Sequence, residues 1–419
     1  MKHIFTFVLF MVLSNLAFGQ GIVLPVDEVK KSGKETFVKR RKSVDRSDWS
    51  KFYRYPKAVK KLKYNVAVFT PMFLDSVDIK KNLTRIPKFM RPGLDFYQGV
   101  EIAADTLRRK GFHFDFHVFD SRSKYLNIKN VIQSDRLDSM DLIIGNASVR
   151  DLKALADYAR VKEINFVSAV SPSSAKQEFN PFFTILQPTL QTHVRDLHRV
   201  ITKKYPEDNV VYLYGDKRSE KNALRYFEED ELYPTPGRFK KMKVTGSALN
   251  LDQVKALLDS NYHTTIVLGT LSPKTSYKIL RALVPLAKET RLKVFGMPTL
   301  EMITSLRKTD AFPGMKIYFT TAFVKEAKSP KTKYILRKYK KRMGGTPTDV
   351  LYKGFESIYF FAHMMNKHGV PFNEHITSNR FSFLTPYKIM PVKKKEKFKY
   401  FENKYLYMLS YKNGIMTYE

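Results

Sequence analysis

From Tyr64 onward, short apolar runs alternate with amphipathic stretches of helical period, and this alternation constrains the fold more than any other feature. Stacked βαβ units with parallel strands are the architecture that such a pattern fits. The first series runs from the strand Tyr64–Phe69 through a helix over 94–110, stopped by Gly111, and a strand over 112–119. A helix near 127–137, a strand over 141–144, a helix near 149–160 and a strand over 165–170 close it. Residues 182–186 read as a strand, and Pro188 opens a helix to about Lys204. The alternation then restarts, with strands over 209–214, 239–244, 264–268, 292–295 and 316–321 and helices over 220–231, 251–258 and 274–289. Helices over 332–343 and 348–368 have no strands of their own to cover, so they are expected to pack back on the first series. The tail Tyr400–Tyr411 alternates like an antiparallel pair, and Asn413-Gly414 is a tight-turn dipeptide. The expected fold is α/β: two Rossmann-like lobes with parallel sheets joined by several crossovers. The expected lobes are 64–187 plus 322–370, and 188–321 plus 371–419.

Composition narrows the chemistry. No cysteine occurs, which removes disulfides, thiol nucleophiles, iron–sulfur clusters, Cys-type zinc sites and a lipid-modified cysteine. The formal charge is +34, so an anionic partner is expected. Residues 1–19 have the layout of a secretory signal peptide: Lys2, an apolar run Ile4–Leu13 and the small-x-small site Ala17-Phe18-Gly19. Cleavage after Gly19 places the mature chain in the periplasm, with no cysteine to acylate, and makes nucleic acid an unsuitable partner. Residues 20–63 read as a basic, flexible lead-in, with 14 basic against 5 acidic residues over 21–63. Residues 325–419 hold 20 basic and 7 acidic residues. The segments 21–63, 331–342 and 393–399 are therefore the expected contacts with an anionic envelope surface or a wall or outer-membrane protein. Lys331–Arg342 reads as an amphipathic helix with a basic face, and Lys393–Lys399 as a lysine-rich loop.

Signatures of nucleotide, zincin and serine-hydrolase chemistry are missing from the sequence. Catalysis and cofactors are therefore not expected. His113, Asp115 and His117 share one strand face and could hold a metal, but the polar face of a strand near a sheet edge is the preferred reading and no metal is expected. The pairs His193/His198 and His363/His368 are five apart on helices, about 140° around the axis, too far for a ligand pair. Asp75, Asp78 and Asp95 could be paired acids for glycan hydrolysis, but nothing in the spacing fixes their separation.

Several segments stand out in order: Val66-Ala-Val-Phe-Thr-Pro71, Phe96-Tyr-Gln-Gly-Val-Glu-Ile-Ala-Ala104, Asp141-Leu-Ile-Ile-Gly145 and Phe166-Val-Ser-Ala-Val-Ser-Pro-Ser-Ser174. Asn180-Pro-Phe182, Val294-Phe-Gly296 and Phe401-Glu-Asn-Lys-Tyr-Leu-Tyr407 continue the set. Together they resemble the type 1 periplasmic-binding fold, in its branched-chain amino-acid-binding (ABC transporter substrate-binding) branch as found in Bacteroidetes-type bacteria. The resemblance covers residues 64–411 and implies a small ligand, such as an amino-acid-like molecule, bound between two lobes. It places Asn146, Ala147 and Ser148 on one ligand loop and Ser171, Ser173 and Ser174 on the next; helix capping and local turns are the competing roles of these residues. Tyr214 and Gly296 are the strand-end candidates of the second lobe. The ammonium-binding acid expected shortly after Gly296 is missing, with Glu301 a distant substitute. The alternative function is an envelope scaffold or regulator of cell-wall synthesis that uses the same fold for docking.

Overall fold

The computed structural model describes residues 22–23, 60–77 and 86–419, apart from positions 231, 245–248, 291, 379–380 and 396. The expected signal peptide 1–19, nearly all of the expected 20–63 lead-in and Asp78 lie outside the described residues.

The chain forms two compact units and passes between them after Gln187, Val324 and Tyr405. In the first unit the strands are β1 (Ile22–Val23), β2 (Tyr64–Thr70), β3 (Phe114–Asp120), β4 (Leu142–Gly145), β5 (Asn165–Ser168) and β6 (Phe183–Ile185). Helices α1 (Arg91–Arg108), α2 (Ile128–Gln133) and α3 (Val149–Lys162) alternate with them. The second unit contributes α4 (Leu190–Lys204), β7 (Asn209–Tyr214), α5 (Arg218–Glu228), β8 (Phe239–Lys243), α6 (Leu251–Lys255) and β9 (Thr264–Leu268). It continues with α7 (Pro273–Ala282), α8 (Val284–Glu289), β10 (Leu292–Gly296) and β11 (Lys316–Thr321). Helices α9 (Pro330–Met343) and α10 (Val350–His368) and strands β12 (Ile389–Lys394) and β13 (Lys397–Asn403) return to the first unit. Strands β14 (Tyr407–Lys412) and β15 (Ile415–Tyr418) complete the second.

The sheet orders are β1-β3-β2-β4-β5-β6-β13-β12 and β15-β14-β11-β10-β9-β7-β8. The β2, β3, β4, β5 and β6 ladders are parallel, as are those joining β7 to β11. Period-two side-chain alternation divides the second core into two layers. Val211, Leu213, Ile266 and Val294 join one cluster, while their neighbours Val210, Tyr212, Val267 and Phe295 join the other. Helix α1 ends as the sequence predicts. Gly111, at φ 78°, donates to the Arg108 carbonyl, and Phe112 donates to that of Leu107, the paired bonds of a Schellman cap.

Four expectations are corrected. Residues 371–405 belong to the first unit, because β13 pairs in parallel with β6 through Phe401 and Glu402. The tail 400–411 is therefore not one hairpin: its front half lies in the first sheet, and the pair around Asn413-Gly414 is β14–β15. Lys393–Lys399 is not a loop but the tip of the antiparallel β12–β13 hairpin, which carries a register shift at Val392/Lys393. The helix expected over 274–289 is two helices, because Pro285 supplies no N–H and the chain breaks at Leu283.

Candidate functional site

The second unit holds a cavity of about 210 Å³ at the carboxyl ends of β7, β8 and β9. Leu213 and Tyr214 close β7 there, Val244 follows β8 and Thr270 follows β9. The first turns of α5 and α7 supply Lys217, Glu220, Ser272 and Thr275. Parallel strands bring these ends together by construction, and helices that begin there point free N–H groups at the same space.

Glu220 is the chemically decisive side chain. It is 4% exposed, yet among the described residues no basic group forms an ion pair with it. Its Oε1 accepts Thr270 Oγ1–H at 2.8 Å and the Leu271 N–H at 3.2 Å. Oε2 lies against Gly215, where an added Cβ would stand 2.2 Å from it, so only glycine allows that approach. Glu220 occupies the third position of α5, where the partial positive charge of the helix end favours a carboxylate. On the rim, Asp216 sits 2.9 Å from Lys243 and 3.4 Å from Lys221. The Lys243 hydrogen bond is the largest influence holding its carboxyl below the usual range.

Of the residues chosen from sequence, Tyr214 lines this cavity and Gly296 does not. Gly296 ends β10, and a Cβ there would meet Leu300 Cδ1 at 2.3 Å, so helix–strand packing already accounts for its being glycine. Glu301 accepts from Thr321 Oγ1 at 3.1 Å.

The first-unit candidates lie on two neighbouring loops. Strands β4 and β5 run side by side, and the Ala169 N–H reaches the Gly145 carbonyl at 3.0 Å, so 146–148 and 171–174 emerge at the same end of one sheet. Their polar groups bond locally. The Asn146 N–H donates to the Phe69 carbonyl (2.8 Å), and Ala147 packs on the core. Ser148 caps α3, accepting from the Asp151 N–H and donating to Asp151 Oδ2 at 2.6 Å. Ser171 Oγ accepts the Ser173 N–H, Ser173 Oγ accepts the Ala175 N–H, and the Ser174 carbonyl accepts the Gln177 N–H.

Several residues of the remaining motifs have structural partners. Asp75 accepts from Ser123 Oγ and the Lys124 N–H. Asp95 accepts from the Tyr339 hydroxyl (2.6 Å) and from the Thr348 N–H and hydroxyl. Asp115 pairs with Lys63 at 2.5 Å, and burial lowers the pKa of His117. No cluster of metal-ligating side chains occurs among the described residues. The apolar stripe of α9 is buried through Ile335 and Tyr339, so its basic face alone is left to solvent. In the sequence Glu220 reads as an ordinary acid in a helix first turn. The signal that could have found it is its position just beyond a strand end of a parallel sheet.

No protein-family model and no curated protein matches the sequence. Solved structures do match. A putative branched-chain amino acid ABC transporter protein from Rhodospirillum rubrum aligns with 85% of this chain and 100% of its own, at 14% identity and a TM-score of 0.64. The chain has the type 1 periplasmic-binding fold. A branched chain amino acid ABC transporter periplasmic ligand-binding protein from Burkholderia xenovorans LB400 matches at 13% identity and TM-score 0.59, over 85% of this chain and 94% of its own. An ABC transporter substrate-binding protein from Desulfitobacterium hafniense, in complex with Leu, matches at 13% identity and TM-score 0.55, over 85% of this chain and 100% of its own. At such identities the likeness is one of fold. Among the described residues, no helix is long and apolar enough to cross a membrane.

Proposed function

We propose that this chain is an exported, non-catalytic solute-binding protein whose ligand is a small, amino-acid-like molecule, engaged through its ammonium group by Glu220. The observation that carries the reading is a buried carboxylate, without a basic partner among the described residues, that lines a cavity. A buried charge is costly unless matched, and an ammonium supplies the match. Leu213, Val244 and Ile279 give the cavity an apolar side. The solved neighbours add support, since one is described as an ABC transporter substrate-binding protein in complex with Leu and another as a periplasmic ligand-binding protein. The site lies three strand connections earlier in the chain than the acid expected after Gly296. Tyr214 belongs to it, and within the first unit the loops at 146–148 and 171–174 are proposed as ligand contacts in their own right.

The N-terminal layout supports a periplasmic location, and the cationic surfaces at 331–342 and 393–399 support attachment to the anionic envelope. A docking scaffold would have no use for the cavity acid, so that alternative is not favoured. Calorimetry tests the reading with free amino acids and their 2-hydroxy analogues, which lack the ammonium. Amino acids should bind and the 2-hydroxy acids should not. Glu220→Gln should weaken binding about tenfold or more, roughly 1.4 kcal/mol. Equal binding of both ligand series, or unchanged binding by the variant, would reject Glu220 as the ammonium site.

A further inference from the structure

The second unit contains a buried polar group separate from the cavity. Arg195 and His198 lie on α4, and Asp230 follows the end of α5. Asp230 Oδ1 accepts the Leu232 N–H at 2.9 Å. Its other oxygen, Oδ2, lies 3.7 Å from Arg195 Nε and 3.9 Å from His198 Nδ1, too far for hydrogen bonds. All three atoms are buried, and none has a hydrogen-bond partner among the described residues. Buried polar atoms are nearly always paired with protein or with ordered water, so three together around one point call for a shared partner.

The hydrogen-bond roles identify that partner. His198 Nε2 is 3.1 Å from the Pro234 carbonyl oxygen, which can only accept, so Nε2 carries the proton. Burial is the main influence on the ring and lowers its pKa, against the opposing pull of Asp230, so the imidazole is neutral at pH 7. Nδ1 is then a bare lone pair facing a carboxylate oxygen. Two acceptors, Nδ1 and Oδ2, and one donor, Arg195 Nε–H, converge. A metal cation would be opposed by the guanidinium, and an anion by the carboxylate and the lone pair. A neutral guest with two donor hydrogens and a free lone pair satisfies every group.

We infer that Arg195, His198 and Asp230 bind one internal water molecule, which donates to His198 Nδ1 and Asp230 Oδ2 and accepts from Arg195 Nε–H. This water ties α4 to the turn that follows α5 and fixes the plane of His198, whose ring stacks on Phe227 with centroids 4.2 Å apart. Long-range proton–nitrogen NMR of the full folded chain at pH 7 should show His198 protonated at Nε2 and bare at Nδ1. A crystal structure at the same pH should show an ordered water within hydrogen-bond distance of all three atoms. A proton on Nδ1 overturns the inference. So does electron density in which Arg195 bonds Asp230 directly with no water between the three groups.

Discussion

Glu356 sits in the middle of α10 with 2% of its surface exposed, and the backbone N–H groups of Phe383 and Leu384 donate to its carboxyl. Burial outweighs these bonds and raises its pKa from 4.5 to about 7. The folded chain therefore keeps a proton that the unfolded chain loses as pH rises from 4.5 towards 7. Stability from this group is fully present below pH 4.5 and declines by about 3 kcal/mol as pH climbs through that window. In Glu356→Gln, a melting-temperature profile should lose this slope between pH 4.5 and 7. An unchanged slope would assign the pH dependence to other groups. A second residue-scale prediction concerns Gly215. Gly215→Ala should displace the Glu220 carboxylate and lower ligand affinity in calorimetry while leaving the far-ultraviolet circular dichroism intact. Glu356 and Glu220 look alike in the sequence, as acids within helices. Only the surrounding chain, from distant segments, separates a carboxyl buried under a loop from one that faces a cavity.

At the scale of elements, α1 and α10 approach so closely that each contributes a glycine to the crossing. A Cβ on Gly99 would lie 2.1 Å from the Leu351 carbonyl oxygen, and one on Gly354 would lie 2.3 Å from that of Phe96. Backbone cannot yield as a flexible side chain does. Gly99→Ala should therefore cost about 3 kcal/mol by separating the helices, read as a lower denaturation midpoint. Ser148→Ala should cost only about 1 kcal/mol, the usual loss of a helix N-cap. An equal loss for both would mean that the helix crossing is looser than its geometry indicates. The packing of α9 and α10 on the first unit was legible in the sequence, because helices without strands of their own need another sheet to cover. The β12–β13 hairpin was not legible. Its lysines suggested a solvated loop, but an edge strand carries the same residues, since charge and a bulge at a free edge discourage pairing with other chains.

For the whole molecule, each unit is assembled from separated stretches of chain, and the second is completed only by residues 406–419. Strand β14 pairs antiparallel with β11, and its Met408, Leu409 and Tyr411 enter the cores on the two faces of the second sheet. Deleting 406–419 should remove about 2 kcal/mol of burial for each of these side chains. Hydrogen exchange should then quicken throughout the second unit and much less in the first. Uniform exchange in both units would show that their stabilities are not separable. The sequence by itself determined the α/β class, the two βα series, the return of the late helices to the first unit and the basic ends, because periodicity and charge are local properties. The tertiary structure alone decided where residues 371–405 belong, which serines bond locally and which acid lines a cavity. Those outcomes depend on which distant strand ends meet and on how much solvent they exclude, and no local pattern encodes either.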